Sequence, residues 1–372
     1  MASLGRREFM FLSAGALVAA GCDAGLMLGL SPGDSFDTVL DRLHDTDVEF
    51  GGGLSNHGPM GAEALVEMGL GERVVDWVNG YAEDLALRMA AAPLSEAERQ
   101  RALGDFEKRA GWIAWYEAEA SGVAPGALLA RELPRLLPAS LSLHGLLRTA
   151  HAYRSLSRQD TPSRRRELAH ALGYWASRYD TLPGTPGKTP QSGLDVRAAL
   201  AKVPLLPDGA RIDEGLIKDR MTPLSSLAGF AEAIDAVDLE AVAVEDALTD
   251  LVTASVNLFV AGGCGDIVLL HGVTASSATR LLLPALDARG QRDALGYAYQ
   301  AVAAAYAIRA GSPSDLEAPG AGAGGESEQS LLDAAARVSD VHSIKLVEAT
   351  LREHRIAARP QLLVAARRWV DC

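Results

Sequence analysis

The sequence predicts a mainly α-helical protein: a single large, multi-helix, bundle-like domain with Pro/Gly-rich loops. Three observations carry this. Hydrophobic residues make up 48% of the 372 positions, but aromatics only 5%. Ala, Leu, Arg and Glu dominate the periodic stretches, and such side chains lose little freedom in a helix. β-branched runs are few and short. No internal repeat and no clear shift in composition marks a second domain, and the length suffices for a substantial core.

Residues 1–22 read as an address rather than as fold. Arg6-Arg7 followed by Glu8-Phe9-Met10 matches a twin-arginine export signal. The apolar stretch from Phe9 to Ala20 suits a signal core and is short for a bilayer span. It ends in Ala19-Ala20-Gly21-Cys22, which resembles a lipoprotein processing site. The expectation is an exported protein, periplasmic or membrane-anchored, handled by the twin-arginine machinery and touching membrane only through a lipid on Cys22.

Residues 23–34 then form a linker, 35–358 the helical domain and 359–372 a C-terminal tail. A short helix is expected over 36–43. Gly51-Gly52-Gly53 breaks the chain and delivers it to Ser55-Asn56-His57-Gly58-Pro59-Met60. Pro59 suits a first helical turn, so His57 sits where a loop meets a helix running to about Met68. Further helices are expected over 71–92, 94–121, 125–135, 140–157, 163–179, 194–203, 212–218, 225–237, 241–260, 266–287, 291–310, 328–338 and 340–355. Pro/Gly-rich linkers fall at 181–193, 204–210 and 311–327.

The formal net charge of -13 argues against a nucleic-acid groove, which needs a basic face. Arg164-Arg165-Arg166 reads as a solvated helix start after Thr161-Pro162-Ser163. Gly187-Lys188-Thr189 lacks the glycine that a phosphate loop requires at position 182, and no Gly-x-Gly-x-x-Gly follows a strand. No NADPH site is therefore evident. The three cysteines form no Cys-x-x-Cys. Cys264 and Cys372 are left to pair or not.

The chemistry rests with the eight histidines. His44 and His354 lie among charges and read as solvent-facing. His170 is explained by helix packing. His57, His144, His271 and His342 differ, each standing in a distinct apolar or junction motif. His271 follows Ile267-Val268-Leu269-Leu270, so its ring faces an interior and needs a partner. His342 and Lys345 lie three apart on one helix face. His144 and His151 share a face but are separated by about 10.5 Å of helical rise. Ligands about 2.1 Å from one ion cannot span that, so at most one of the two binds a metal.

Lys345 beside several imidazoles is read as a neutral base or as a carbamate that ligates through oxygen; an ordinary surface lysine is the simpler alternative. A nitrogen set with one oxygen suits Fe(II), whereas Zn in the same place would point to hydrolysis.

Five segments, in order, resemble the questin oxidase-like family: Ser55-Asn56-His57-Gly58-Pro59-Met60, His144-Gly145-Leu146-Leu147-Arg148, Glu167-Leu168-Ala169 through Tyr174-Trp175-Ala176, His271-Gly272-Val273-Thr274 and Asp340-Val341-His342-Ser343-Ile344-Lys345. The resemblance spans roughly residues 35–358. It implies a helical fold and an iron site of His57, His144, His271, His342 and Lys345. It also implies O2-dependent oxidation or ring opening of an aromatic small molecule; because the chain shows no NADPH site, electrons from NADPH would need a partner. His151 lies beyond the firm part of its motif, which favours His144 as ligand. Arg148 and His151 are then expected to orient substrate or an oxyanion. The competing expectations are a zinc-dependent hydrolase and a non-enzymatic, lipid-anchored metal-binding protein.

Overall fold

A computed structural model describes residues 26–263, 265–317 and 326–372. The readings placed on Arg6, Arg7, Cys22 and Cys264, and on 318–325 of the last linker, lie outside these residues. Helix accounts for 65% of the chain and strand for 2%, forming one packed helical domain as expected.

The helices in order are α1 (Phe36–Leu43), α2 (Gly58–Glu67), α3 (Val74–Tyr81), α4 (Glu96–Arg99), α5 (Arg109–Gly122) and α6 (Pro125–Leu136). Then come α7 (Leu143–Arg158), α8 (Pro162–Ser177), α9 (Val196–Leu200), α10 (Ile217–Met221) and α11 (Phe230–Asp235). The series ends with α12 (Val244–Gly262), α13 (Ile267–Leu282), α14 (Ala288–Arg309), α15 (Glu328–Ala335), α16 (Val341–Ile356) and α17 (Pro360–Val370). The only sheet among the described residues is a two-residue hairpin, β1 (Glu49–Phe50) against β2 (Leu54–Ser55). Gly51, Gly52 and Gly53 turn it, all with positive φ, where a Cβ would be strained.

Polar caps set many of the starts. Ser35, Thr161, Asp266, Asp287 and Asp340 each accept a hydrogen bond from a backbone N–H of the first turn of α1, α8, α13, α14 and α16. At the centre α7 packs on α8 and α13, and α13 packs on α12, α14 and α16; α16 also lies on α2 and α17. The segment Ile267–Ala285 is long and apolar enough to cross a membrane, but 78% of it is buried in the fold. It is the core helix of the bundle.

Several boundaries differ from expectation. The helix expected over 71–92 ends at Asp84. From Leu85 the chain is extended and pairs with residues 45–47, through Asp47 N–H to the Ala86 carbonyl and Arg88 N–H to the Asp45 carbonyl. Tertiary pairing there overrides the helix propensity of Leu85–Ala92. The helix expected over 94–121 is broken at Gly104, whose φ is +81° and whose Cβ would stand 2.8 Å from the Tyr179 carbonyl oxygen. The expected linker at 23–34 tucks Leu28 and Leu30 into the core, and the expected tail at 359–372 is α17, burying Leu362, Ala365 and Trp369. His44, expected to face solvent, is fully buried. The acidic neighbours Asp41 and Asp45 face outward, and the His44 ring turns inward to Glu167 on α8. Arg164, Arg165 and Arg166 start a helix as expected, but they are ion-paired to Asp37, Asp160 and Glu117 rather than simply solvated.

Candidate metal centre

Each motif histidine is placed by its local sequence. His57 is the N-cap residue of α2. Asn56 pins the preceding loop: its amide donates to the Asp47 carbonyl (2.9 Å) and Thr46 Oγ1 (2.8 Å), and its Oδ1 accepts from Gly58 N–H (3.0 Å). The His57 backbone N–H donates to Tyr81 Oη at 2.7 Å. A Cβ at residue 58 would lie 2.9 Å from Leu43 Cδ2 and 3.1 Å from Asn56 Oδ1, so glycine eases the close start of the helix beside α1. His144 and His342 are the second residues of α7 and α16. Gly145 allows α7 to lie on Trp175, since a Cβ there would fall 2.4 Å from the indole Cγ. His271 sits one turn into α13.

These four helices bring the four imidazoles together. His57, His271 and His342 each present a ring nitrogen within 4.8 Å of the others, forming a group that can hold a metal ion. His144 stacks on His57 with ring centroids 4.9 Å apart and places Nε2 2.9 Å from His271 Nε2. The His271 Nδ1–H donates to the Ile267 carbonyl at 2.7 Å, which leaves the Nε2 lone pair aimed into the cluster. Without an ion, His144 Nε2–H must be the donor between the two rings. Two nitrogens each about 2.1 Å from one ion, at right angles across it, lie about 3.0 Å apart. The observed His144–His271 spacing therefore also suits two adjacent ligands.

Burial is deep on one side and open on the other. His57 and His271 are nearly inaccessible, whereas the His342 side chain keeps 22% of its surface. Burial, together with the Lys345 charge, pushes His57 well below the usual imidazole range and His144 down to about 3. Burial and then the neighbouring His144 do the same to His271. Burial also lowers His342, against the pull of Asp340. The rings are therefore neutral, as metal ligation requires. His57, His144 and His342 also lie at the N-terminal ends of their helices, where the helix dipole disfavours a protonated ring.

Lys345 is 1% exposed, and its Nζ has no hydrogen-bond partner; neither has His57 Nε2. Burial brings the lysine down to about 7, with only Asp340 opposing. Two buried polar atoms left unmatched in one cluster is an expensive arrangement for a protein alone. They accompany a three-histidine group whose nitrogens fit a metal ion.

Arg148 and His151, expected to face substrate, are engaged elsewhere. Arg148 donates Nε and Nη2 to Glu167 (2.6 and 2.9 Å), and His151 Nδ1 lies 2.7 Å from Glu63. Glu63 also pairs with Arg154, which bridges to Glu348. Both Arg148 and His151 line a small cavity that none of the four clustered imidazoles borders. The group of mutually close ring nitrogens is His57, His271 and His342; His144 lies beside it against His57 and His271, and His151 lies outside it with Glu63. His170 pairs through Nε2 with Glu117 (2.9 Å), its ring 4.6 Å from that of His44. His354, expected to face solvent, is half-buried, its Nδ1–H donating to the Arg359 carbonyl at 3.1 Å.

Asp340 is a residue the sequence reading left out of the site. Its Oδ1 stands 3.5 Å from His342 Nδ1, while Oδ2 accepts from Ser343 N–H and Trp369 Nε1–H. An Asp at an N-cap two residues before a candidate ligand was the available signal.

Comparison of the chain with models of known protein families and with functionally characterised proteins found no match.

Proposed function

We propose that this protein is an exported, metal-dependent oxidoreductase that uses O2 to oxidise or open an aromatic or other apolar small molecule. In this reading His57, His144, His271 and His342 hold Fe(II), and Lys345 contributes either as a neutral base or, as its carbamate, an oxygen ligand. The observation that carries it is the donor set. Four neutral imidazoles converge beside an unpartnered, buried lysine whose amine is neutral in part near pH 7. Imidazole nitrogen with one anionic oxygen suits Fe(II), and the Asp340 carboxylate stands only at the edge of the cluster, 3.5 Å from His342 Nδ1. Such a bound ion supplies O2 activation, which no protein side chain performs. The resemblance of the five motifs to the questin oxidase-like family supports oxygen chemistry over hydrolysis.

The chain's own residues would do the rest. The Ile267 carbonyl fixes the His271 tautomer, and Asp340 orients His342. The apolar surroundings of His271 exclude water on the closed side. Substrate would approach from the His342 side, the one with exposed surface. Lys345 Nζ is the group available to hold or release a proton. Arg148 and His151 would orient the site from outside it, through α7, since carboxylates occupy them.

The test is to produce the protein with iron in the medium, measure bound metal, then follow O2 uptake with hydroxyquinones. About one iron per chain and substrate-dependent O2 consumption are expected. A chain that stays metal-free would overturn the reading. Hydrolysis restored by zinc without O2 consumption would replace it with a zinc hydrolase.

A further inference from the structure

We infer that Trp369, on the C-terminal helix, is a positioning residue for the metal centre, acting through Asp340 on His342. The inference rests on the reading of the imidazole cluster as a metal site. Its geometry is a short chain of contacts. Trp369 Nε1–H donates to Asp340 Oδ2 at 2.9 Å, and Asp340 Oδ1 faces His342 Nδ1 at 3.5 Å. The indole ring also stands edge-on to the imidazole, centroids 6.4 Å apart.

Three demands meet on one carboxylate. Oδ2 caps α16 by accepting from the Ser343 N–H (2.8 Å) and hydroxyl (2.7 Å) and takes the indole N–H as well. With Oδ2 held on one side, the carboxylate plane is fixed and Oδ1 is left for the imidazole. A histidine whose Nδ1–H points at a carboxylate has Nε2 free for a metal and its ring orientation fixed. His342 needs this more than its neighbours. His271 is held by a backbone carbonyl and is nearly inaccessible, whereas the His342 side chain is 22% exposed and heads the first turn of its helix. The indole thus restrains the outermost imidazole from a helix that carries no ligand. This is a role for residues 359–372 that goes beyond completing the core.

The probe metals are Zn(II) for affinity and Co(II) for its visible ligand-field spectrum, both added to the metal-free full chain. Trp369→Phe keeps a ring and removes the N–H. It should weaken Zn(II) binding about 10-fold, at the low end for loss of an outer-shell partner, and should shift the Co(II) bands. Phe259→Leu is the packing control, since the Phe259 ring also packs against Trp369, centroids 6.0 Å apart. It should lower the melting temperature and leave affinity and spectrum unchanged. Wild-type affinity and spectrum in Trp369→Phe would overturn the inference, as would equal spectral shifts in both variants.

Should Trp369→Phe fail to fold, the unaltered protein decides. Among the five tryptophans, the 15N-labelled indole of Trp369 should show the largest shift on adding diamagnetic Zn(II). An unmoved Trp369 signal during saturating binding overturns the inference while leaving the metal site standing. A wild-type chain that binds neither ion overturns the metal site, and this inference with it.

Discussion

Two polar clusters lie side by side in this bundle, and α7 contributes to both. In its first turn His144 joins His57, His271, His342 and Lys345. One turn on, Arg148 joins Glu167 and His44, while His151 and Arg154 join Glu63 and Glu348. The second group is balanced: each basic residue named has a carboxylate within hydrogen-bonding reach. The first is all bases around one point, with Asp340 only at its edge. A balanced network can close in a dry interior because each charge is matched. Buried atoms without a hydrogen-bond partner occur in both groups, among them His44 Nδ1, Arg148 Nη1 and Glu348 Oε2 in the second, so it is the shortage of carboxylates in the first that shows where a group from outside belongs. Two sets of buried histidines therefore differ in meaning through their partners, not through their burial.

Breaking the balanced cluster should cost the most. Glu167→Gln leaves Arg148 as a buried, uncompensated charge and should destabilise the fold by about 3–5 kcal/mol in urea denaturation. Its metal content per folded chain should stay at the wild-type value. Loss of metal with stability intact would mean that the two clusters are not separate. The converse variant is His342→Ala. It should weaken divalent metal binding by about 100-fold or more, followed by competition with a chelating dye, because a direct ligand exceeds an outer-shell partner in weight. The stability of its metal-free form should change far less than that of Glu167→Gln.

Lys345→Met sharpens the comparison by sign. The amine is buried without a partner, so removing it from the metal-free protein should raise stability by about 1–3 kcal/mol. The same change should weaken metal binding. A destabilised Lys345→Met would mean that the amine already has a stabilising partner and that the cluster is complete by itself.

The smallest effect is a pH slope to which Glu167 of the balanced cluster and the neighbouring His170 contribute. Burial works against ionisation of Glu167, but Arg148 and His44 overcome it and hold its carboxyl down to about 2. That contribution is present above the unfolded value of 4.5 and is lost as pH falls toward 2. Burial takes His170 down to about 3 despite its bond to Glu117. Between pH 6.5 and 3 the unfolded chain therefore binds a proton that the folded chain refuses, so this too lowers stability in acid. Both act in one direction. The urea midpoint of the metal-free chain should already decline near pH 7.5, because Lys345 is held down to about 7, decline further below 6.5, where the four clustered imidazoles act in the same direction as His170, and fall again below 4.5. His170→Phe should lessen the decline between pH 6.5 and 3 and spare what remains below 3. A midpoint that rises on acidification would contradict the assignment of both groups.

Much of the site could be read from the sequence because its residues sit in local motifs that have local causes. Gly51–Gly53, Asn56 and Pro59 build a turn and a helix start at His57 in one short segment. Ile267–Leu270 announces a buried helix, and the Asp340 cap announces another. Pairing was not readable in the same way. Nothing near His44 in the sequence points to Glu167, which is 123 positions away, and nothing near Arg148 or His151 marks them as ion-paired. Acidic neighbours pulled the reading of His44 outward although its own ring turns in.

Composition and periodicity determined that this chain is helical, because propensity and apolar spacing act within a few turns. Local motifs and the family resemblance they carry singled out four histidines and a lysine. Only the tertiary structure decided which buried bases meet a carboxylate and which do not. That choice depends on how α2, α7, α13 and α16 cross, since electrostatic balance is a property of distances between segments and not of any segment alone.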